Sequence, residues 1–480
     1  MSKKEKIYFF LILILGIFLR ILNLGKHSFW CDELLAISLG QHSIKWMINY
    51  ITYKDAHPPL FYILVHFWLK FAKNEFSLRT LPLLFGILCI PSSYLLAKKV
   101  KNIKTSLLFS LFIALSPSLI LWSQIVKSYT FFTFLTIISF MSFISYINSK
   151  EKKWYLLLII SNILILYTHN FGFITIFIQI LTLLILKKLN IKLILLFLII
   201  FFTYIPWLFK IPYQLFFTLG VRRPIPIILR FPYTLFYFFF GETINPFNIK
   251  ILIPLFLIWI WLFIISLKNL LLDREIRILL IISLFFPLIF VIFPSTVPQN
   301  LIPFSIFWLL LFSLGLEKLG FRNILNYLTF LSLFPSLYFY YSDNINNYHD
   351  TSKLIPFREI YKNVENLERD GDLILTTEKI DKDIISPIQW YYKGKNKIIG
   401  IESIDELENI NKMIEKFKRI FIILDFINNP LISEKLKDFF EKNYDKIYEK
   451  KYIYNEKLLS KLKGKSEFYY LVEVYIFKKF

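Results

Sequence analysis

Through residue 342 the chain alternates long apolar runs with short polar turns. A helix crossing the hydrocarbon layer needs about 17–25 residues. Segments of that kind fall at 7–24, 80–97, 105–122, 129–147, 155–170, 172–186, 193–209, 250–267, 278–293, 301–316 and 325–341. The apolar stretch 226–240 reads as re-entrant or interfacial, because a further crossing there would invert every downstream turn. From residue 343 the pattern changes: amphipathic helical periods (357–369, 403–418, 432–443) interleave with β-rich runs at 372–377, 396–401, 419–426 and 468–477. Such alternation predicts a small α/β domain. The expected fold is therefore a polytopic α-helical membrane protein of about 11 transmembrane helices with a C-terminal α/β domain. The domains divide as 1–342, including a first external loop at 25–79, and 343–480.

The turns decide orientation. Those at 98–104, 149–153, 187–192, 268–277 and 317–322 are short and basic, whereas 168–172 and 293–300 are nearly free of Lys and Arg. Basic short loops mark the cytoplasmic side. With MSKKEK inside, eleven spans leave the C-terminal domain extracytoplasmic, in a multi-pass protein of the cell membrane. No small-residue cleavage site follows the first apolar run, so it reads as an uncleaved span.

Composition sharpens this. The chain is 56% hydrophobic, and its net charge of +22 resembles a nucleic-acid signal until it is located. Residues 1–342 hold 31 Lys/Arg against 10 Asp/Glu, while 343–480 hold 25 against 24. The excess belongs to the membrane part, and a nucleic-acid footprint would need a basic stripe on a soluble face. Nucleic acid is not an expected partner. Neither Cys31 nor Cys89 suggests a disulfide framework or a metal cluster. No glycine-rich phosphate loop or internal repeat is evident.

Scarcity points to the chemistry. Of the ten carboxylates before residue 343, four lie in the loop 25–79 (Asp32, Glu33, Asp55 and Glu75), with four of the six histidines. Long ordered loops tend to be functional. In SFWCDELL, Asp32 or its neighbour Glu33 is placed to take a proton from an acceptor, with Asp32 favoured. The alternative is that the pair caps an interfacial helix. His57, in DAHPPLFY, either orients a substrate or simply begins a helix behind its two prolines. Cations suited to a lipid-linked phosphate are Arg20, Arg79, Lys127 beside Ser128 and Tyr129, and Arg222/Arg223. An Arg inside a span is a functional hypothesis by default, though Arg20 lies near enough to the end to snorkel. Lys127 could equally anchor its helix to headgroups. His169, in LYTHNFG, either lines the same cavity or belongs to a tight turn.

An Arg-containing first helix, SFWCDE (28–33), HPPLFY (57–62), FSLRTLPLLFG (76–86), ALSPSLILWSQIVKSYTF (114–131) and LYTHNFGF (166–173) follow one another in the chain. In that order they resemble the polyprenyl-phosphate-sugar-dependent membrane glycosyltransferases of family 39. That group includes protein O-mannosyltransferases and lipid A aminoarabinose transferase. FREIYKNVENLERDGDLIL (357–375) and QWYYKG (389–394) resemble the extracytoplasmic domain common in bacterial and archaeal members. The resemblance implies a GT-C type fold, transfer from a polyprenyl-phosphate-linked sugar with inversion, and a first-loop base, here Asp32. It implies donor contacts from Arg20, His57, Arg79, Lys127, Tyr129, His169, Arg222 and Arg223. The acceptor would be a lipid, a protein or a polysaccharide. Two departures stand out: Lys127 replaces a usual Arg, which forfeits bidentate phosphate contact, and Gln299/Asn300 replace a usual Arg-Tyr pair. No cofactor is required; a divalent cation is possible but has no evident ligand cluster. The competing readings are a lipid-linked-sugar transporter or flippase, and a non-catalytic scaffold.

Overall fold

The computed structural model describes residues 2–214, 227–241, 243–245, 248–268, 272–293, 296–319, 323–342, 355–426, 429–453 and 471–478. It divides into two compact units.

The first, Met1–Leu24 with Gly40–Asp343, is helical. In chain order the helices begin with α1 (Lys3–Ile21), α2 (Cys31–Gln41, almost all of it in the second unit), α3 (Ile44–Lys54), α4 (Leu60–Trp68), α5 (Glu75–Val100), α6 (Ile103–Leu115) and α7 (Pro117–Ser123). There follow α8 (Tyr129–Ser149), α9 (Lys152–Thr168), α10 (Phe173–Ile185) and α11 (Ile191–Leu208). Further helices run Ile227–Phe240, Ile249–Lys268, Arg274–Ile289, Ile302–Leu319, Ile324–Leu331 and Phe334–Ser342. Among the described residues six helices are long and apolar enough to cross a membrane, or seven if α6 and α7 form one bent span.

The expected span at 105–122 is broken by 56° at Ser116. Pro117 suits the first turn of a helix but cannot continue the one before it. The expected span 325–341 is likewise two short helices. Ile227–Phe240 has 14 residues, short of the roughly 17 that a crossing requires.

Arg20 is wholly buried and acts as a clamp. Nη1 donates to the carbonyls of Gly16 (3.1 Å) and Ala114 (2.9 Å), and Nη2 to that of Ile113 (2.8 Å). The last carbonyls of α6, left without helical partners by the break, thus find donors. Gly86 passes so close that a Cβ there would meet Ser123 Oγ at 2.0 Å. Deeper in the bundle, Ser139 donates to Asn162 Oδ1 (2.6 Å), Asn162 Nδ2 to Gln179 Oε1 (2.9 Å), and Gln179 Nε2 to Ser139 Oγ (2.7 Å). That closed triangle ties α8, α9 and α10, as polar side chains do between helices lacking a hydrophobic drive to associate.

The second unit joins Gly25–Leu39 to Asn344–Phe480. Its five strands, β1 (Leu373–Thr376), β2 (Lys397–Gly400), β3 (Arg419–Asp425), β4 (Asp445–Ile453) and β5 (Leu471–Lys478), order as β2-β1-β3-β5-β4. The pairs β2–β1 and β1–β3 are parallel; β3–β5 and β5–β4 are antiparallel. Alternate residues feed the two faces: Ile374, Phe421, Ile423 and Val474 one core, and Leu375, Ile422, Leu424 and Tyr475 the other. Helix Phe357–Leu367 covers the first face and Pro430–Asn443 the second.

Residues 25–39, assigned by sequence to the membrane part, are built into this unit. Ser28 Oγ accepts from Arg358 N (3.0 Å), Phe29 N donates to Tyr391 Oη (2.5 Å), and Ile385 N donates to Ser38 Oγ (2.9 Å). The Phe29 ring also meets that of Trp390 edge to face at 5.5 Å.

Candidate functional site

Several helices of the first unit carry lysines at one end. Lys98 and Lys99 close α5, Lys150 follows α8, and Lys152 and Lys153 open α9. At the opposite ends lie Arg79 in the first turn of α5, Lys127 just before α8, and His169 just after α9. Polar side chains converge at that second end.

The turn between α3 and α4 supplies Asp55 and His57. Asp55 caps the C-terminus of α3 in extended conformation, and Pro58 and Pro59 force the chain out before α4 begins. Asp55 Oδ1 accepts from Ala56 N (2.5 Å) and His57 Nδ1 (3.0 Å), while Oδ2 accepts the Tyr62 hydroxyl. Burial alone would raise this carboxyl. The His57 imidazole opposes that by charge and hydrogen bond, Lys127 and Tyr62 add to it, and the result is about 2. From neighbouring elements, Asn170 Nδ2 donates to Ala56 O (2.7 Å), and Gln214 Nε2 to His57 O (3.1 Å). The 55–57 turn is therefore held by amide side chains far along the sequence.

His169 comes from the α9–α10 turn. Its ring stacks on Phe132 at 5.1 Å and meets Tyr129 at 5.9 Å. Nδ1 accepts from Phe171 N (3.1 Å), which assigns the proton to Nε2. Burial, and then the charges of His57 and Lys127, hold the ring well below the usual imidazole range, so it is neutral. Nε2 has no hydrogen-bond partner of normal geometry; the Asn300 side chain is a polar group beside it. The Tyr129 hydroxyl reaches Asn300 Oδ1 at 3.5 Å. Lys127, only 6% exposed, acts electrostatically on both Asp55 and His169. A buried ammonium, an imidazole N–H, a phenol and a carboxamide together make a set of donors suited to phosphate oxygens.

Four expected site residues thus come together: His57, Lys127, Tyr129 and His169. Arg20 and Arg79 both donate to backbone carbonyls. Arg20 clamps the broken helix pair described above, and Arg79, buried, gives Nη1 to Leu24 O (3.1 Å). Arg222 and Arg223 lie outside the described residues. Tyr62 was not singled out by sequence; Asp55 was named only as one of four loop carboxylates and Asn300 only as a departure from a usual Arg-Tyr pair, although the D-x-H spacing of Asp55 and His57 was a readable signal for their hydrogen bond.

The acidic pair of the first loop lies in the second unit. Glu33 is 1% exposed, and its Oε2 accepts from Trp30 N (3.0 Å), so it caps the first turn of α2. Asp32 beside it is partly exposed. Burial, together with the negative charges of Asp425, Glu378 and Asp32, pushes the Cys31 thiol far up. Among the described residues no group of three His, Cys, Asp or Glu side chains is placed to hold a metal ion.

Residues 41–221 match the family model described as dolichyl-phosphate-mannose-protein mannosyltransferase. The fold resembles ArnT from Cupriavidus metallidurans in the apo state, at 12% identity and TM-score 0.62, over 98% of this chain and 97% of that one. It also resembles ArnT bound to undecaprenyl phosphate, at 11% identity and TM-score 0.61, over 99% and 98%. The oligosaccharyltransferase AglB from Archaeoglobus fulgidus, in complex with an inhibitory peptide and a dolichol-phosphate, matches at 12% identity and TM-score 0.53. That match covers 93% of this chain and 74% of AglB. At these identities the likeness is one of fold. Comparison with curated proteins gives no match.

Proposed function

We propose that the chain is a membrane glycosyltransferase that moves a sugar from a polyprenyl-phosphate donor to an acceptor on the extracytoplasmic face. The observation that carries this is the Lys127–His169–Tyr129 donor set. It is buried at the helix ends opposite the basic turns, within the stretch matching the mannosyltransferase family. ArnT with undecaprenyl phosphate and AglB with dolichol-phosphate share the fold, which supports a lipid-linked phosphate as the group held.

In this reading Lys127 and the His169 Nε2–H hold the donor phosphate, with Tyr129 beside them. Asp55 and His57 fix the neighbouring turn and set its charge. Asp32 takes the proton of the acceptor nucleophile as it attacks the anomeric carbon. The bond from that carbon to the phosphate oxygen breaks, the configuration inverts, and polyprenyl phosphate leaves. Donors aimed at the oxygen where charge develops lower the barrier most. The basic turns face the cytoplasm, and the α/β unit lies outside.

The test is transfer from a radiolabelled pool of polyprenyl-phosphate sugars in membranes carrying wild type or Asp32→Asn. Wild type should give a covalent product, and Asp32→Asn should lose on the order of a hundredfold or more in rate. Equal transfer by both would reject Asp32 as the base. Sugar accumulating in sealed vesicles without covalent product would favour a transporter.

A further inference from the structure

The second unit contains a cavity that the chemistry above does not use. In open parallel α/β sheets ligands settle beyond the carboxyl ends of the strands. At that end of β1 and β3 stand Glu378 and Asp425, side by side in the parallel register that pairs Thr376 with Ile423. Asp425 N donates to Thr377 Oγ1 (2.7 Å), locking the two strand ends together. Beyond them lies a cavity of ≈ 170 Å³, lined by Cys31, Glu378, Ser386, Asp425 and Asn429, with Lys379 and Asp381 also contributing. At about 30 Å³ per water it holds roughly five or six waters, or a group the size of one sugar ring.

The lining is suited to hydroxyls. Glu378 and Asp425 are each 2% exposed. Burial, then the charge of Asp425, lifts the Glu378 carboxyl to about 8. Glu378 Oε1 accepts from the Tyr361 hydroxyl and Oε2 from Ile388 N (2.9 Å), so the pair offers carboxyl oxygens that are already fixed in position. Ser386 and Lys379 add donors, and Asn429, whose Nδ2 also donates to Thr377 O (2.8 Å), adds an amide. A hydroxyl both gives and accepts, and such a mixed lining matches it better than it matches a simple cation or anion. Ile384, Ile385 and Pro387 form an apolar wall against which a ring's C–H face can lie. Cys31 stays protonated, so it lines the cavity and does not act as a nucleophile. The next residue in the chain is Asp32.

We propose that this cavity is a subsite for one hydroxyl-bearing sugar ring of the glycosyl acceptor. The word acceptor rests on the transferase reading; the binding of a sugar ring does not.

The experiment uses the full chain in lipid nanodiscs and three probes: the methyl glycosides of mannose, glucose and N-acetylglucosamine. Binding is followed by saturation-transfer NMR. At least one probe should saturate. Ile384→Trp, which fills the cavity from a partly exposed loop and leaves both carboxylates in place, should weaken it about tenfold or more. Asn429→Ala should do the same, with circular dichroism reporting the fold of each variant. No saturable signal from any of the three, or wild-type binding by a folded Ile384→Trp protein, overturns the proposal. Transfer is measured separately. If Asp32→Asn keeps transfer, the base assignment fails and the cavity stands; if Ile384→Trp keeps glycoside binding, the subsite fails and the transferase reading stands.

Discussion

The imidazoles of His57 and His169 meet edge to face, with ring centroids 5.1 Å apart and planes at 78°. One comes from the turn after α3 and the other from the turn after α9, so two distant segments share one electrostatic environment. Asp55 binds the first ring directly. The second is neutral because its burial and the neighbouring positive groups disfavour a further charge. An N–H without a partner is left between a lysine and a tyrosine, and four expectations follow from this arrangement and from the clamp above it.

Replacing His169 by Phe should keep the stack on Phe132 and remove both the Nε2–H and the Nδ1 acceptor of Phe171 N. Thermal stability should fall by about 1–3 kcal/mol, the cost of leaving that N–H without its acceptor. Donor affinity should fall roughly tenfold or more, the worth of a hydrogen bond to a charged group. Titration with a polyprenyl phosphate, read beside a melting curve, separates the two effects.

Asp55 should make the fold acid-sensitive. Its carboxyl lies at about 2 in the folded chain against 3.8 when unperturbed. The folded state thus binds the proton less readily than the unfolded one. The stability it contributes is full above about pH 4 and is lost as pH falls toward about 2. The contribution is on the order of 2 kcal/mol. Melting temperatures of Asp55→Asn should be lower than wild type at neutral pH and should converge with it in acid.

Lys127→Met should weaken donor binding strongly, because it removes the buried ammonium of the donor set. Lys127→Arg should retain part of it, since the charge survives but a planar fork must fit a site built around a compact ammonium. A fall in kcat/KM of about a hundredfold for Met and about tenfold for Arg is expected. Equal activity of Met and wild type would remove Lys127 from the phosphate site.

Arg20→Lys should damage folding before it damages chemistry. Lysine brings a compact charge where the guanidinium fork serves three carbonyls, leaving buried acceptors short of donors at a cost of about 1–3 kcal/mol. The melting temperature should drop, while the donor KM of the surviving protein should stay near wild type. A changed KM at unchanged stability would return Arg20 to the donor site.

Much of the helical unit was legible because a crossing helix satisfies its own backbone and announces itself by length. The break at Ser116 was not read, although Pro117 marked it, since apolarity continues across the kink. The strand β4 escaped notice because an edge strand rich in lysine, DKIYEKKYI, hides its pleat behind charges that discourage edge pairing. His57, Lys127, Tyr129 and His169 were legible as rare polar groups among apolar neighbours. The cap formed by Glu33 and the carbonyl clamp of Arg20 were not, because each depends on where the backbone ends and not on which residue stands there. Asp55 lay in plain view, two positions before His57, but its burial is a tertiary fact.

The interlacing of Ser28, Phe29 and Ser38 with residues beyond 357 has a consequence for biogenesis. On the ribosome, the stretch around Asp32 emerges more than three hundred residues before the segments that receive it, around Arg358, Ile385 and Tyr391. It therefore remains unsettled until Arg358, Ile385 and Tyr391 have been made. A nascent chain halted before that point is expected to be inserted yet inactive, so that maturation itself acts as a checkpoint on when the acidic segment takes its final form.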